Sequence, residues 1–177
     1  MSRIALREFD DMSPEEREFV GRRGELNVFR LVGGAPQVFA GWIPMVDALL
    51  DSPTISSRLR ELVIMRVGHL QRSHYELAQH IDVARRIGIT ESEIAAVTSD
   101  GPVAGFDPIE DTVLSFVTEL VTTGTVGAES FSAVDARIGT AAVTELLVLV
   151  SLYYGLALVL NASDLEIDRT NRLQVTR

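Results

Sequence analysis

Apolar residues recur along this chain at spacings of three and four, and no stretch sustains an alternation of two. In DTVLSFVTELVTTG, residues 111–124, Val113, Leu114, Val117, Leu120 and Val121 share one face of a helix. Residues 56–70, SSRLRELVIMRVGHL, predict a strongly apolar helix, and residues 76–88, ELAQHIDVARRIG, an amphipathic one. Residues 35–52 predict a helix interrupted over 41–44, because Pro44 disfavours helical geometry at Ile43.

Helix starts are spelled out as capping patterns. Ser13-Pro14-Glu15-Glu16 opens a helix toward Arg23, with Pro at the first helical position. Thr90 with Glu93 opens another, and Gly88 closes the one before it. Asp107-Pro108-Ile109-Glu110 launches the helix that Gly124 ends. No Asn-Gly or Asp-Gly hairpin separates two strand-like runs, since Asp100-Gly101 leads into Pro102. The expected fold is all-α, about seven to eight helices. With no linker or low-complexity tract, one domain is expected over residues 1–177.

Composition narrows the chemistry. The apolar fraction is 46% and the charged fraction 23%, as in an ordinary globular domain. Sixteen basic and 25 acidic residues give a net charge of -9, with no basic run, which argues against a nucleic-acid partner or an anionic membrane surface. There is no cysteine, so disulfides, thiolate nucleophiles, iron–sulfur clusters and Cys-ligated zinc are all ruled out for this chain. The N-terminal stretch MSRIALREFDDMSPEERE has no apolar core of a secretory signal, and a cytoplasmic location is expected. Residues 146–163 carry no charge, but Glu145 stands before them, Asp164, Glu166 and Asp168 follow, and no Lys or Arg flanks them. A core helix or a subunit interface is expected there, not a membrane span.

The densest chemistry lies in RSHYELAQH, residues 72–80, which holds two of the three histidines. Ser73 and Glu76 fit the S-x-x-E capping box, which would contribute about 1 kcal/mol. A metal site is disfavoured: His74 stands six residues before His80, roughly 120° away around a helix, and no H-E-x-x-H is present. Acid/base chemistry is the third reading. Glu76 lies one turn from His80 and is able to orient it, and Glu61 sits among apolar neighbours where burial would perturb a carboxylate. Tyr75 offers a phenolic donor. Arg60, Arg66 and Arg72 are either anion anchors or the exposed edge of a helix.

The order Asn27, Pro36, RLRELVIMRVGHL, Tyr75-Glu76-x-x-x-His80 and ARRIGIT resembles the carboxymuconolactone decarboxylase family, part of the AhpD-like superfamily, over about residues 25–165. The peroxidase branch of that superfamily carries a glutamate followed by C-x-x-C-x-x-x-H. Glu61 and His80 fall on its glutamate and histidine, Ser73 and Glu76 on its two cysteines, and Tyr75 on a tyrosine often found between them. The resemblance implies an all-α fold with the motif helices as a central hairpin. It also implies a homo-oligomer, commonly a trimer or hexamer, with the site near a subunit interface. Loss of both cysteines removes dithiol peroxidase chemistry. What remains resembles the cofactor-free, metal-free branch, which decarboxylates, isomerises or opens a small carboxylated or lactone substrate. On that reading His80 is the general acid/base, Glu76 orients it, Glu61 is a second proton carrier and Tyr75 a donor. Arg72, with Ser73 and His74 beside it, would hold the substrate. The alternative is a non-catalytic or stress-associated relative in which Ser73 and Glu76 only cap a helix.

Overall fold

Each helix start marked by Ser, Thr or Asp three residues before a Glu, apart from the one at Ser73, is a formed capping box. Ser13, Thr90 and Asp107 accept hydrogen bonds from backbone amides of the first turn, and Glu16, Glu93 and Glu110 accept from the amides of the cap residues. The computed structural model describes residues 2–168 and Leu173; the remaining residues of the expected 1–177 domain lie outside the described residues. Among the described residues there are nine α-helices and no strand: α1 Pro14–Arg23, α2 Asn27–Gly33, α3 Pro36–Leu50, α4 Ser57–Leu70, α5 His74–Arg86, α6 Glu91–Val97, α7 Pro108–Thr123, α8 Ala128–Ile138 and α9 Thr140–Ser163. The count slightly exceeds the expected seven to eight. The break expected at Pro44 is also absent, because α3 runs through it. Pro44 and Ala40 are both exposed, so the carbonyl that Pro44 leaves without an amide partner meets water.

The centre of the bundle is α4, buried at every position from Leu59 to Gly68. It packs on α5, α6, α7 and α9. On one side Val63, Ile64 and Val67 meet Phe116 and Val117 of α7 and Leu146, Leu149 and Val150 of α9. On another, Leu62 and Met65 meet Ala84, Ile94 and Leu114. A third apolar cluster joins α1, α2 and α3 to Tyr75 and Val83 of α5 and Leu160 of α9. The apolar run expected in α9 is long enough and apolar enough to cross a membrane by length and composition. In this fold one face of it supplies core side chains, while Val148, Tyr154, Leu158 and Val159 remain exposed.

Arg60 and Arg66 are not the exposed helix edge that the sequence allowed. Both are buried, and both serve backbone carbonyls. Arg60 Nη1 donates to the carbonyls of Leu49, Ser52 and Ile55 at 3.1–3.3 Å. Arg66 donates to the carbonyls of Val97, Ser99 and Gly101 and to Thr118 Oγ1, tying the loop after α6 to the core. Arg66→Met keeps the stem and leaves these acceptors unpaired, an expected loss of about 2–4 kcal/mol. A urea midpoint equal to wild type would show that water replaces the guanidinium.

Candidate functional site

The turn between α4 and α5 decides how the cluster at 72–80 is displayed. Ser73 N donates to Gly68 O at 2.8 Å and Arg72 N to His69 O at 2.9 Å, a Schellman closure of α4. Arg72 takes the left-handed position with φ 54°, where glycine is usual. Because the Ser73 amide is already bonded to Gly68, Glu76 has no free cap amide to reach back to, and Ser73 makes no side-chain cap bond. The capping box read from Ser73 and Glu76 is therefore not formed. The Glu76 side chain turns inward instead.

His80 is also buried, and its Nδ1 lies 2.7 Å from Glu61 Oε2, across the α4–α5 pair. The expected orienting partner was Glu76, one turn away on the same helix; the observed partner is Glu61. Tyr153 of α9 meets the His80 ring edge to face, with centroids 5.2 Å apart. Glu76 is 3% exposed, and neither of its carboxylate oxygens has a hydrogen-bond partner. Burial pushes its carboxyl up to about 8; Ser73 beside it lowers it slightly, although no well-formed hydrogen bond joins the two. Tyr75 is committed elsewhere. Its hydroxyl accepts from Val28 N at 3.2 Å and donates to Asp168, which also accepts from Asn27 N and Gln79 Nε2. Burial, then the bond to Asp168, raises the Tyr75 phenol far above its usual range.

These groups meet at a narrow cavity of about 40 Å³. His80, Glu76, Gln79, Tyr75 and Tyr153 supply its polar groups, and Phe29, Trp42, Leu152, Leu156 and Leu173 are among its apolar walls. With Nδ1 held by Glu61, Nε2 is the His80 nitrogen left for a ligand. Glu61 stands behind His80 and does not line the cavity. Ser73 is buried but off the wall, and Arg72 and His74 are exposed, so none of these three lines it. Among the described residues no three His, Asp or Glu side chains converge as a ligand set for a metal. Trp42, Leu152 and Leu156 also form one wall of a shallower apolar groove of about 510 Å³ on the outside of α3 and α9. Sequence reasoning did not find Tyr153, Gln79, Trp42 or Asp168, which reach the site from four separate segments of the chain.

Residues 36–119, which span Glu61 to His80, match the sequence profile of the carboxymuconolactone decarboxylase family. No curated protein matches the chain. Several solved structures share its fold. An uncharacterized peroxidase-related protein from Silicibacter sp. TM1040 superposes with a TM-score of 0.82 at 13% identity, over 95% of this chain and 92% of that one. An uncharacterized peroxidase-related protein from Ralstonia eutropha JMP134, described as an alkylhydroperoxidase AhpD core, gives 0.80 at 17% identity, over 95% and 93%. The debrominase Bmp8 gives 0.76 at 14% identity, over 95% and 91%.

Proposed function

We infer that this chain, which carries a carboxymuconolactone decarboxylase family segment on an AhpD-like helical fold, is a cofactor-free acid/base enzyme acting on a small carboxylated or lactone substrate. The observation that carries this reading is the buried His80–Glu61 pair facing a cavity into which an unpaired Glu76 also projects. A chain without cysteine has no dithiol to reduce a peroxide. The cavity beside His80 argues against the non-catalytic alternative, which needs these groups sealed in apolar packing.

The chemistry follows from the two ends of the imidazole. Glu61, accepting from Nδ1–H, fixes the tautomer in which Nε2 carries the lone pair. His80 Nε2 then takes a proton from a carbon next to a carbonyl. The C–H electron pair moves into the carbon–carbon bond, and the carbonyl π pair moves to oxygen, which takes a proton from Glu76. Return of the His80 proton at another carbon, while the enol O–H gives its proton back to Glu76, gives an isomer. A substrate entering as the carboxylic acid would instead give its acid proton to His80 Nε2 and lose carbon dioxide to the same enol; His80 then returns that proton to carbon as the enol O–H returns its proton to Glu76. Tyr75, held by Asp168 and Val28, positions the wall instead of reaching the substrate.

The test is incubation of a β,γ-unsaturated γ-lactone in D₂O with protein, followed by NMR. Deuterium uptake next to the carbonyl, absent in His80→Gln, is expected. Equal uptake in that variant sinks the reading.

The same chain is expected to assemble as a trimer or hexamer. Val148, Tyr154, Leu158 and Val159 on α9, and Val38 and Met45 on α3, are exposed large apolar side chains that a subunit contact would cover. A monomeric mass by light scattering at micromolar concentration would overturn this.

A further inference from the structure

We propose that the cavity beside His80 selects a neutral, largely apolar ring bearing one hydrogen-bond acceptor, a cyclic lactone or ketone, and rejects the corresponding carboxylate. This rests on the acid/base reading of the site and narrows its substrate to the uncharged class. The argument begins with what lines the cavity. Among the described residues no lining residue is Lys or Arg. Arg23 and Arg60 act on Tyr153 through space only. Arg23 is engaged by Asp47 and Asp51, and Arg60 by three carbonyls of the α3–α4 connection. Arg72, the anion anchor expected from sequence, is exposed on the turn.

A carboxylate entering here would lose its water, gain no Arg counter-ion among the described residues and lie near Glu61 and Glu76. Such an uncompensated buried charge is strongly unfavourable. A neutral acceptor meets the opposite situation. Glu76 is buried and unpartnered, and while it keeps its proton it has one O–H to donate. A carbonyl oxygen satisfies that group and leaves the rest of the ring against Phe29, Trp42 and leucine side chains.

Size fits if one wall yields. As it stands, the cavity of about 40 Å³ is smaller than the roughly 150 Å³ that holds a benzene ring. Trp42, Leu152 and Leu156 separate it from the outer groove of about 510 Å³ and belong to both. A ring that parts these three side chains gains room on an apolar side, where no described lining residue carries a charge.

Trp42 is the chain's single tryptophan, so its emission reports on the wall directly. The experiment titrates benzamide and benzoate, equal in shape and different in charge, at about pH 6, where Glu76 is protonated. Benzamide is expected to shift the emission with a Kd at least about tenfold below that of benzoate. Glu76→Met should remove most of that preference, and Glu76→Gln, which keeps a donor, should retain it. Benzoate binding as tightly as benzamide overturns the proposal, as does the absence of a shift with either probe up to about 10 mM. Repeating the titration in His80→Gln separates the two readings. Selectivity kept while that variant turns over at the wild-type rate overturns only the acid/base reading. Selectivity lost while turnover is abolished overturns only the present one.

Discussion

Replacing His80 by Gln is expected to lower turnover by about 10²- to 10⁴-fold, the usual contribution of a positioned general acid or base. The loss should fall on kcat, with KM nearly unchanged, because Nε2 moves a proton in the transition state and the apolar walls hold the ring. Gln keeps an amide able to donate to Glu61 Oε2, so the carboxylate behind it is not stranded and the fold should survive. Circular dichroism and the thermal midpoint check that. In the proposed mechanism Glu61 acts through His80, not on the substrate, since it lies behind the ring and off the cavity wall. Glu61→Gln should therefore lower kcat less than His80→Gln does, and the double variant should be no slower than His80→Gln alone. Additive losses would mean that Glu61 has an independent role, and an active His80→Gln would remove His80 from the chemistry.

The parts of this molecule that were legible in its sequence are those fixed by groups three or four residues apart. The boxes at Ser13, Thr90 and Asp107 are local hydrogen bonds, so their residue types announce them. By contrast, α2 and α8 begin at Leu26 and Gly127, which make no side-chain cap bond, and nothing in the text marks their starts. Ser73 and Glu76 show where local spelling stops deciding structure. Their spelling equals that of the formed boxes, yet a five-residue closure to Gly68 takes the amide the box requires. The site was half legible for the same reason. Glu76 and His80 share a helical face by spacing, but which carboxylate meets the imidazole depends on how α4 and α5 pack, and that register brings Glu61 across 19 residues. Tyr153 and Asp168 arrive from helix α9 and the segment after it, distances no periodicity encodes.

The second large effect is on stability, and it comes from Glu76. Its carboxyl is raised from 4.5 to about 8 by burial, which Ser73 beside it offsets only in part. The titratable groups around it are His80 one turn along α5, Glu61 on α4, which pairs with His80, and Tyr153 on α9. The folded chain thus holds the Glu76 proton more tightly than the unfolded chain does. Its contribution is fully present below about pH 4.5, declines once the unfolded chain begins to release the proton, and is lost as pH rises through about 8. A rise of this size corresponds to roughly 5 kcal/mol between those limits. Glu76→Gln cannot ionise, so its unfolding free energy should stay level across this window relative to wild type. The gap between the two proteins, read from urea midpoints at successive pH values, should open from near zero at acid pH to several kcal/mol above about pH 8. Parallel pH profiles would mean that Glu76 ionises without cost, through water reaching the cavity. The same proton is the one the proposed mechanism delivers to the carbonyl oxygen. Wild-type turnover should therefore fall as pH rises through about 8 along with its excess of instability, and Glu76→Gln should lose both limbs together. A stability limb without an activity limb would leave Glu76 as a buried acid with no part in the reaction.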